Sequence, residues 1–292
     1  MRGKIIKGVG GFYTVLTEEN HRVTGGIKGI FRNQNIVPMV GDNVIVQKEK
    51  DGSFVIAQIL ERKNALLRPA VANVTQMIIV AACTRPKPNL MMLDKLIASY
   101  EQIGLKIIMC FNKVDIAKKA DVEHLKQIYG KTSYELFFVS AKEAKLGGLK
   151  KHLYHETTVL AGPSGAGKST LLNAIHPAFF LRTGKVSEKI GRGRHTTRHV
   201  ELLCLDETSY IVDTPGFTNI DLTDMEIEKV DELFVEFRPY LGKCKFTSCV
   251  HDSEPECAVK EALQEGKISE SRYQNYLVIK DEIDEKLRKN WR

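Results

Sequence analysis

Apolar residues recur along the first sixty-five positions in short runs, each broken by glycine or by charge. Phe12-Tyr13-Thr14-Val15-Leu16 and Gly29-Ile30-Phe31-Arg32 each predict a strand. Gly41-Asp42-Asn43-Val44-Ile45-Val46-Gln47 and Ser53-Phe54-Val55-Ile56-Ala57-Gln58-Ile59-Leu60 predict two more. Asp51-Gly52 lies between the last two, and both residues tolerate the positive φ of a tight hairpin. No helical period interrupts them. Several short strands in so few residues predict a small closed barrel of the OB type.

From about residue 70 the texture alternates between strand and helix. Gln76-Met77-Ile78-Ile79-Val80-Ala81-Ala82 is nearly all apolar, as in a strand covered on both faces. Leu90 to Ile103 has helical spacing, Leu105 to Phe111 reads as the next strand, residues 121–130 as a helix and Glu135 to Val139 as a strand. Thr157 to Ala161 predicts a buried strand and Ser169 to Ile175 a helix; His199 to Leu205 and Ser209 to Asp213 predict a hairpin. This is a doubly wound α/β pattern. Asp221 to Phe237 and Ser269 to Lys289 read as helices. The expected domains are a barrel over residues 1–66, an α/β domain over 67–220 and a mostly helical tail over 221–292.

Composition adds limits. The apolar share of 43% and charged share of 27% are those of an ordinary globular protein. No apolar run is long enough to span a bilayer, and Met1-Arg2-Gly3-Lys4 leads into no secretory segment, so a cytoplasmic protein with no membrane partner is expected. Cys83, Cys110 and Cys204 sit in strand-like apolar stretches and read as buried thiols. Charge is uneven: 11 Lys/Arg against 6 Asp/Glu over residues 1–68, 20 against 13 over 69–220, and 12 against 17 over 221–292. A basic front and middle suit a polyanion such as nucleic acid; a solvated surface is the plainer reading. Phe12, Tyr13, Phe31, Arg22, Lys28 and Arg32 are available for RNA, although core packing is the commoner use of such aromatics.

The chemistry centres on Gly162-Pro163-Ser164-Gly165-Ala166-Gly167-Lys168-Ser169, followed by Thr170. G-x-x-x-x-G-K-[ST] between a strand and a helix is a phosphate-binding loop. Its glycines let backbone N–H groups turn inward on an anion, and the helix N-terminus adds its positive end. Lys168 is expected on the β- and γ-phosphates and the Ser169 hydroxyl on Mg²⁺. Asn112-Lys113-Val114-Asp115 follows the second strand of the α/β region. In such an N-K-x-D turn the carboxylate accepts from guanine N1–H and the exocyclic amine, a pair adenine does not offer. Ser140-Ala141-Lys142 follows the third strand and is the companion motif whose backbone N–H meets guanine O6. Asp213-Thr214-Pro215-Gly216 follows the hairpin; there Asp213 would hold Mg²⁺ through water and the Gly216 N–H would sense the γ-phosphate. A kinase or ATPase on the same loop is opposed by Asn112, Lys113 and Asp115. The guanine motifs precede the phosphate loop, the reverse of the ordinary order, which is the mark of a circular permutation.

In that order the sequence resembles the circularly permuted bacterial GTPases of small-subunit maturation, the ribosome small subunit-dependent GTPases A. The resemblance covers essentially the whole chain. It implies an N-terminal OB-type β-barrel, a central permuted α/β P-loop GTPase domain and a C-terminal helical zinc-binding domain. It also implies a GTP hydrolase that binds the small (30S) ribosomal subunit and its rRNA late in assembly and is stimulated by it. A GTP-controlled RNA-binding switch, whose hydrolysis only resets binding, is the alternative. A monomer is expected.

Gly191-Arg192-Gly193-Arg194-His195-Thr196-Thr197-Arg198 lies between the phosphate loop and Asp213. The matching family segment is a switch loop, which makes Thr196 or Thr197, and of the two Thr197, the candidate to close on Mg²⁺. The residue after Asp-x-x-Gly is Phe217, which cannot position water, so His195 is the candidate for that role. Cys244-x₄-Cys249-x-His251-x₅-Cys257 offers three thiolates and an imidazole, a tetrahedral set for one structural Zn²⁺, and its spacing matches the family's zinc module.

Overall fold

A computed structural model describes residues 1–28, 37–67, 69–177, 200–213 and 229–290. Strands in chain order are β1 Arg2–Val9, β2 Phe12–Thr17, β3 Arg22–Ile27, β4 Asn43–Lys48, β5 Phe54–Ile59, β6 Ala65–Leu67, β7 Ala70–Ala72, β8 Gln76–Ala82, β9 Lys106–Asn112, β10 Glu135–Val139, β11 Thr157–Ala161, β12 Glu201–Cys204 and β13 Tyr210–Asp213. The helices are α1 Leu90–Glu101, α2 Lys119–Tyr129, α3 Lys168–Ile175, α4 Ala258–Gln264 and α5 Glu270–Asn290. Two compact units emerge: Met1–Ile78, Gly148–Ala161 and Ser169–Phe217 form one, and Ile79–Gly147, Gly162–Lys168 and Thr218–Arg292 the other.

In the first unit the strands run β1-β2-β3-β5-β4, and β4 returns to pair with β1. That closure is the barrel expected from the sequence. β3 and β5 are parallel and the other barrel pairs antiparallel. β1 and β3 were not among the expected strands, and the expected strand at Gly29–Arg32 lies outside the described residues. A bulge between Ile5 and Lys7 explains why β1 is hard to read. It turns Ile5 and Ile6 both inward, and so breaks the alternation by which a half-buried strand is recognised. The same unit carries the expected hairpin of β12 and β13. β13 pairs in parallel with β11, and β12 meets β1 with Lys7 and Glu201 in register and ion-paired at 2.9 Å.

In the second unit β10, β9 and β8 lie side by side, β10 parallel to β9, and every residue of β8 is buried as its apolar run predicts. A second core lies farther along the chain. Phe234, Phe237, Tyr276, Ile279 and Ile283 pack together with Ala98 of α1. The expected helix at Asp221–Phe237 is not found in its described part. Residues 231–233 and 238–240 form single 3₁₀ turns instead. Leu233 to Phe237 are five buried residues in succession, and a helix with one covered face cannot bury five in a row. α4 was not foreseen, whereas α5 falls where a helix was expected.

One buried cluster ties these elements together. Arg272 of α5 is fully buried and donates two bonds to Glu236, at 2.7 and 2.9 Å, and one to Asp94 of α1 at 2.7 Å. Asp94 also accepts from Tyr129 at 3.0 Å and Asn275 at 2.6 Å. The Phe234 ring covers the guanidinium 4.7 Å from its centroid. Burial opposes the charge of Arg272, but Asp94 and Glu236 overcome it and hold its proton more tightly than usual. Among the described residues no helix is long and apolar enough to cross a membrane.

Candidate functional site

The phosphate loop leaves β11 at Gly162 and enters α3 at Lys168, as the flanking pattern requires. Two glycines here are obligatory. Gly162 has φ +137°, and a Cβ on it would sit 2.0 Å from the Val80 carbonyl oxygen. Gly167 has φ +93°, and a Cβ there would sit 2.4 Å from Asn112 Nδ2. Both backbones therefore approach their neighbours more closely than any side chain allows. Lys168 lies across the loop, donating to the carbonyls of Gly162 at 2.7 Å and Pro163 at 2.9 Å. Burial pulls its ammonium below the usual lysine range. Ser164 and Gly165 are exposed at the tip and Ala166 is buried beneath it. Ser169, itself exposed, and Thr170 follow in the first turn of α3.

Asn112, at the end of β9, joins the three motifs of this unit. Its Nδ2 donates to Ala166 O in the phosphate loop at 3.0 Å. Its Oδ1 accepts the Lys113 N–H at 2.8 Å and the Ala141 N–H at 3.0 Å. Asp115 is exposed, with one oxygen held by the Ser140 hydroxyl at 2.8 Å. A carboxylate has about four acceptor positions, so this bond aims it while leaving capacity for a base. Ser140 and Lys145 exchange two backbone bonds of 3.0 Å, which closes the turn bearing Ala141 and the exposed Lys142. Lys113 takes a left-handed backbone, φ +69°, the kind of strain that persists where surrounding contacts fix it. Its ammonium donates to the Arg85 carbonyl at 2.6 Å. Asn112, Lys113, Asp115, Ser140, Ala141, Lys142 and residues 162–168 are thus brought together. Asp213 ends β13 in the other unit, its side chain outside the description. His195, Thr196, Thr197, Gly216 and Phe217 lie outside the described residues.

The four residues of the Cys₃His cluster come together as their spacing predicts. His251 Nδ1 lies 3.6, 3.5 and 3.3 Å from the sulfurs of Cys244, Cys249 and Cys257, and Cys244 and Cys257 are 3.8 Å apart. A tetrahedron with zinc–sulfur bonds of about 2.3 Å has an edge of about 3.8 Å, so the four donors fit a zinc ion. His251 Nε2 faces Asp231 Oδ2 at 3.1 Å. That carboxylate orients the ring so that Nδ1 faces the three sulfurs and is the nitrogen a metal would meet. Tyr273 and Tyr276 of α5 donate to the carbonyls of His251 and Val250, at 2.6 and 2.8 Å, and anchor the ligand loop.

Sequence reasoning missed Asp231, whose partner is twenty residues away and has no spacing signal. It also missed the packing of Pro86 on the phosphate loop. On the barrel, Phe12 is 63% exposed and is a surface residue rather than core; Arg22 is exposed and Tyr13 and Lys28 are half-buried. Phe31 and Arg32 lie outside the described residues.

A phosphate loop hydrogen-bonded to an N-K-x-D turn that precedes it in the chain, together with an N-terminal barrel and a Cys₃His tail, defines a circularly permuted GTPase. Residues 59–223 match the RsgA GTPase family and residues 2–56 the RsgA N-terminal domain. The chain belongs to the RsgA GTPase family. It is 46% identical to the small ribosomal subunit biogenesis GTPase RsgA of Clostridium perfringens, over 97% of this chain and 98% of that one. The corresponding Clostridium botulinum protein is 42% identical over the full length of both. Among solved structures, YjeQ from Thermotoga maritima matches with a TM-score of 0.82 and 37% identity, covering 97% and 98% of the two chains. YloQ, a circularly permuted GTPase, matches with 0.81 and 34%, covering 97% and 95%.

Proposed function

We propose that this chain hydrolyses GTP to GDP and phosphate as a late maturation factor of the small ribosomal subunit, binding the subunit's rRNA and being stimulated by it. The carrying observation is Asn112, which bonds to both the phosphate loop and the turn at Ala141 and so makes one nucleotide site of three motifs. Relatives of nearly equal length named for small-subunit biogenesis supply the process.

In this reading Asp115 accepts from guanine, aimed by Ser140. Asn112, Lys113 and the Ser140-Ala141-Lys142 turn complete the base pocket. Gly162 to Gly167 cradle the phosphates with backbone N–H groups, Thr170 supports the loop from α3, and Lys168 turns from the loop carbonyls to the β- and γ-phosphates. Ser169, Thr197 and, through water, Asp213 would hold Mg²⁺, which would supply positive charge to the phosphates. Gly216 senses the γ-phosphate and His195 places the attacking water. The zinc held by Cys244, Cys249, His251 and Cys257 is structural, since four protein ligands leave no open position. The domains are a barrel over residues 1–66, a GTPase domain over 67–220 and a zinc-binding domain over 221–292. The protein acts in the cytoplasm as a monomer, and exposed Phe12 and Arg22 are available to RNA.

The deciding measurement is GTP turnover alone and with purified small subunits, large subunits or bare rRNA. Stimulation by small subunits alone is expected. Equal turnover under all four conditions would reject the proposal.

A further inference from the structure

Between β8 and α1 the chain runs Cys83-Thr84-Arg85-Pro86-Lys87-Pro88-Asn89. The segment is fixed at both ends. The Cys83 N–H donates to Asn112 O at 2.8 Å, and the Asn89 side chain caps α1 by accepting the Met92 N–H at 3.0 Å. In between, it touches two parts of the nucleotide site. The Arg85 carbonyl takes the Lys113 ammonium at 2.6 Å. Pro86 Cδ lies 3.4 Å from where a Cβ on Gly165 would be, so the proline ring packs against the tip of the phosphate loop.

Lys113 belongs to the turn that reads the base, and Gly165 to the loop that cradles the phosphates. A segment in contact with both lies beside what joins base to phosphates, namely the ribose and the α-phosphate. Arg85 and Lys87 are exposed there. Among the described residues neither has an ion-pair partner. A guanidinium presents paired donors in a fixed plane that matches two phosphate oxygens, whereas an ammonium acts as a point charge. Arg85 is also the residue whose own backbone is tied to Lys113, so it is the better positioned of the two.

We propose that Arg85 is a nucleotide-binding residue of this site, its guanidinium engaging the α-phosphate of guanine nucleotides. The proposal rests on the reading of Asn112–Asp115 and Gly162–Ser169 as the nucleotide site. Because GDP and GTP share the α-phosphate, Arg85 contributes equally to both and does not discriminate between them.

The test is calorimetric titration of the full-length, zinc-loaded protein with GDP and with a non-hydrolysable GTP analogue. Arg85→Ala is expected to weaken both by about tenfold and by the same factor. Arg85→Lys should recover part of the loss, and Lys87→Ala should stay within twofold of the parent. A change under twofold for Arg85→Ala, in a protein with unchanged circular dichroism and melting, would overturn the assignment. Equal losses for Arg85→Ala and Lys87→Ala would overturn it too, since they would signify a general field rather than a contact. A loss confined to the GTP analogue would place the guanidinium elsewhere and likewise reject it. Asp115→Asn serves as the control: if it still prefers guanine, the site reading fails; if it loses that preference while Arg85→Ala is silent, only the Arg85 assignment fails.

Discussion

At the scale of single residues, base choice and loop geometry rest on a few atoms. In the proposed reading Asp115, oriented by the Ser140 hydroxyl, is the acceptor for guanine. Asp115→Asn reverses one hydrogen-bond polarity and should favour xanthine over guanine nucleotides by about 10²-fold or more, measured by competition binding. Retained guanine preference would show that another group reads the base. Gly162→Ala tests the loop's backbone. Its Cβ would collide with the Val80 carbonyl in a conformation L-residues avoid, so a loss of about 1–3 kcal/mol is expected in denaturant titration. His195→Ala addresses the water. It should lower subunit-stimulated turnover by about 10²-fold or more while GTP and subunit binding persist. Stimulated turnover near the parent's would move that role to another group.

At the scale of elements, the cluster of Cys244, Cys249, His251 and Cys257 holds a stretch of chain with little regular structure. Metal analysis after gel filtration should find one zinc per chain. Asp231→Asn should weaken zinc binding by about 10–100-fold in chelator competition, because the carboxylate orients His251. Zinc affinity unchanged by this substitution would leave Asp231 no part in the centre. The gathering of the four Cys and His residues was legible in the sequence because they fall within one short stretch, and so were the nucleotide motifs, each confined to a few adjacent residues. β11 matches its expected span residue for residue, because a buried strand leading into a glycine-rich loop carries both a pattern and a stop. What could not be read depends on partners distant in the chain or on broken periods. Asp231 has the first difficulty, and β1, with Ile5 and Ile6 both inward, has the second. The segment from Leu233 to Phe237 looks helical by composition, yet it is buried on every side and turns tightly instead.

At the scale of the whole molecule, the order of motifs matters more than their identity. The Asp213 motif leads in sequence straight toward the Asp231 and Glu236 region, so in the proposed reading the segment that would report on the γ-phosphate continues into the one that carries the Cys₃His cluster. Arg272 is central to the second unit's stability. Arg272→Ala leaves Asp94 and Glu236 buried without their cation, and a loss of about 3–5 kcal/mol is expected in chemical unfolding of the zinc-loaded protein. A loss below about 1 kcal/mol would mean that water reaches both carboxylates. The cluster also bears on synthesis. Asp94 and Arg272 are 178 residues apart, and Glu236 and Arg272 are 36 apart. A nascent chain that has produced β8, α1 and β9 holds a carboxylate meant for burial with no counter-charge yet made. The face of α1 that carries Asp94 is completed only once Arg272 and Asn275 of α5 are present, so that part of the second unit's packing waits for the end of the chain.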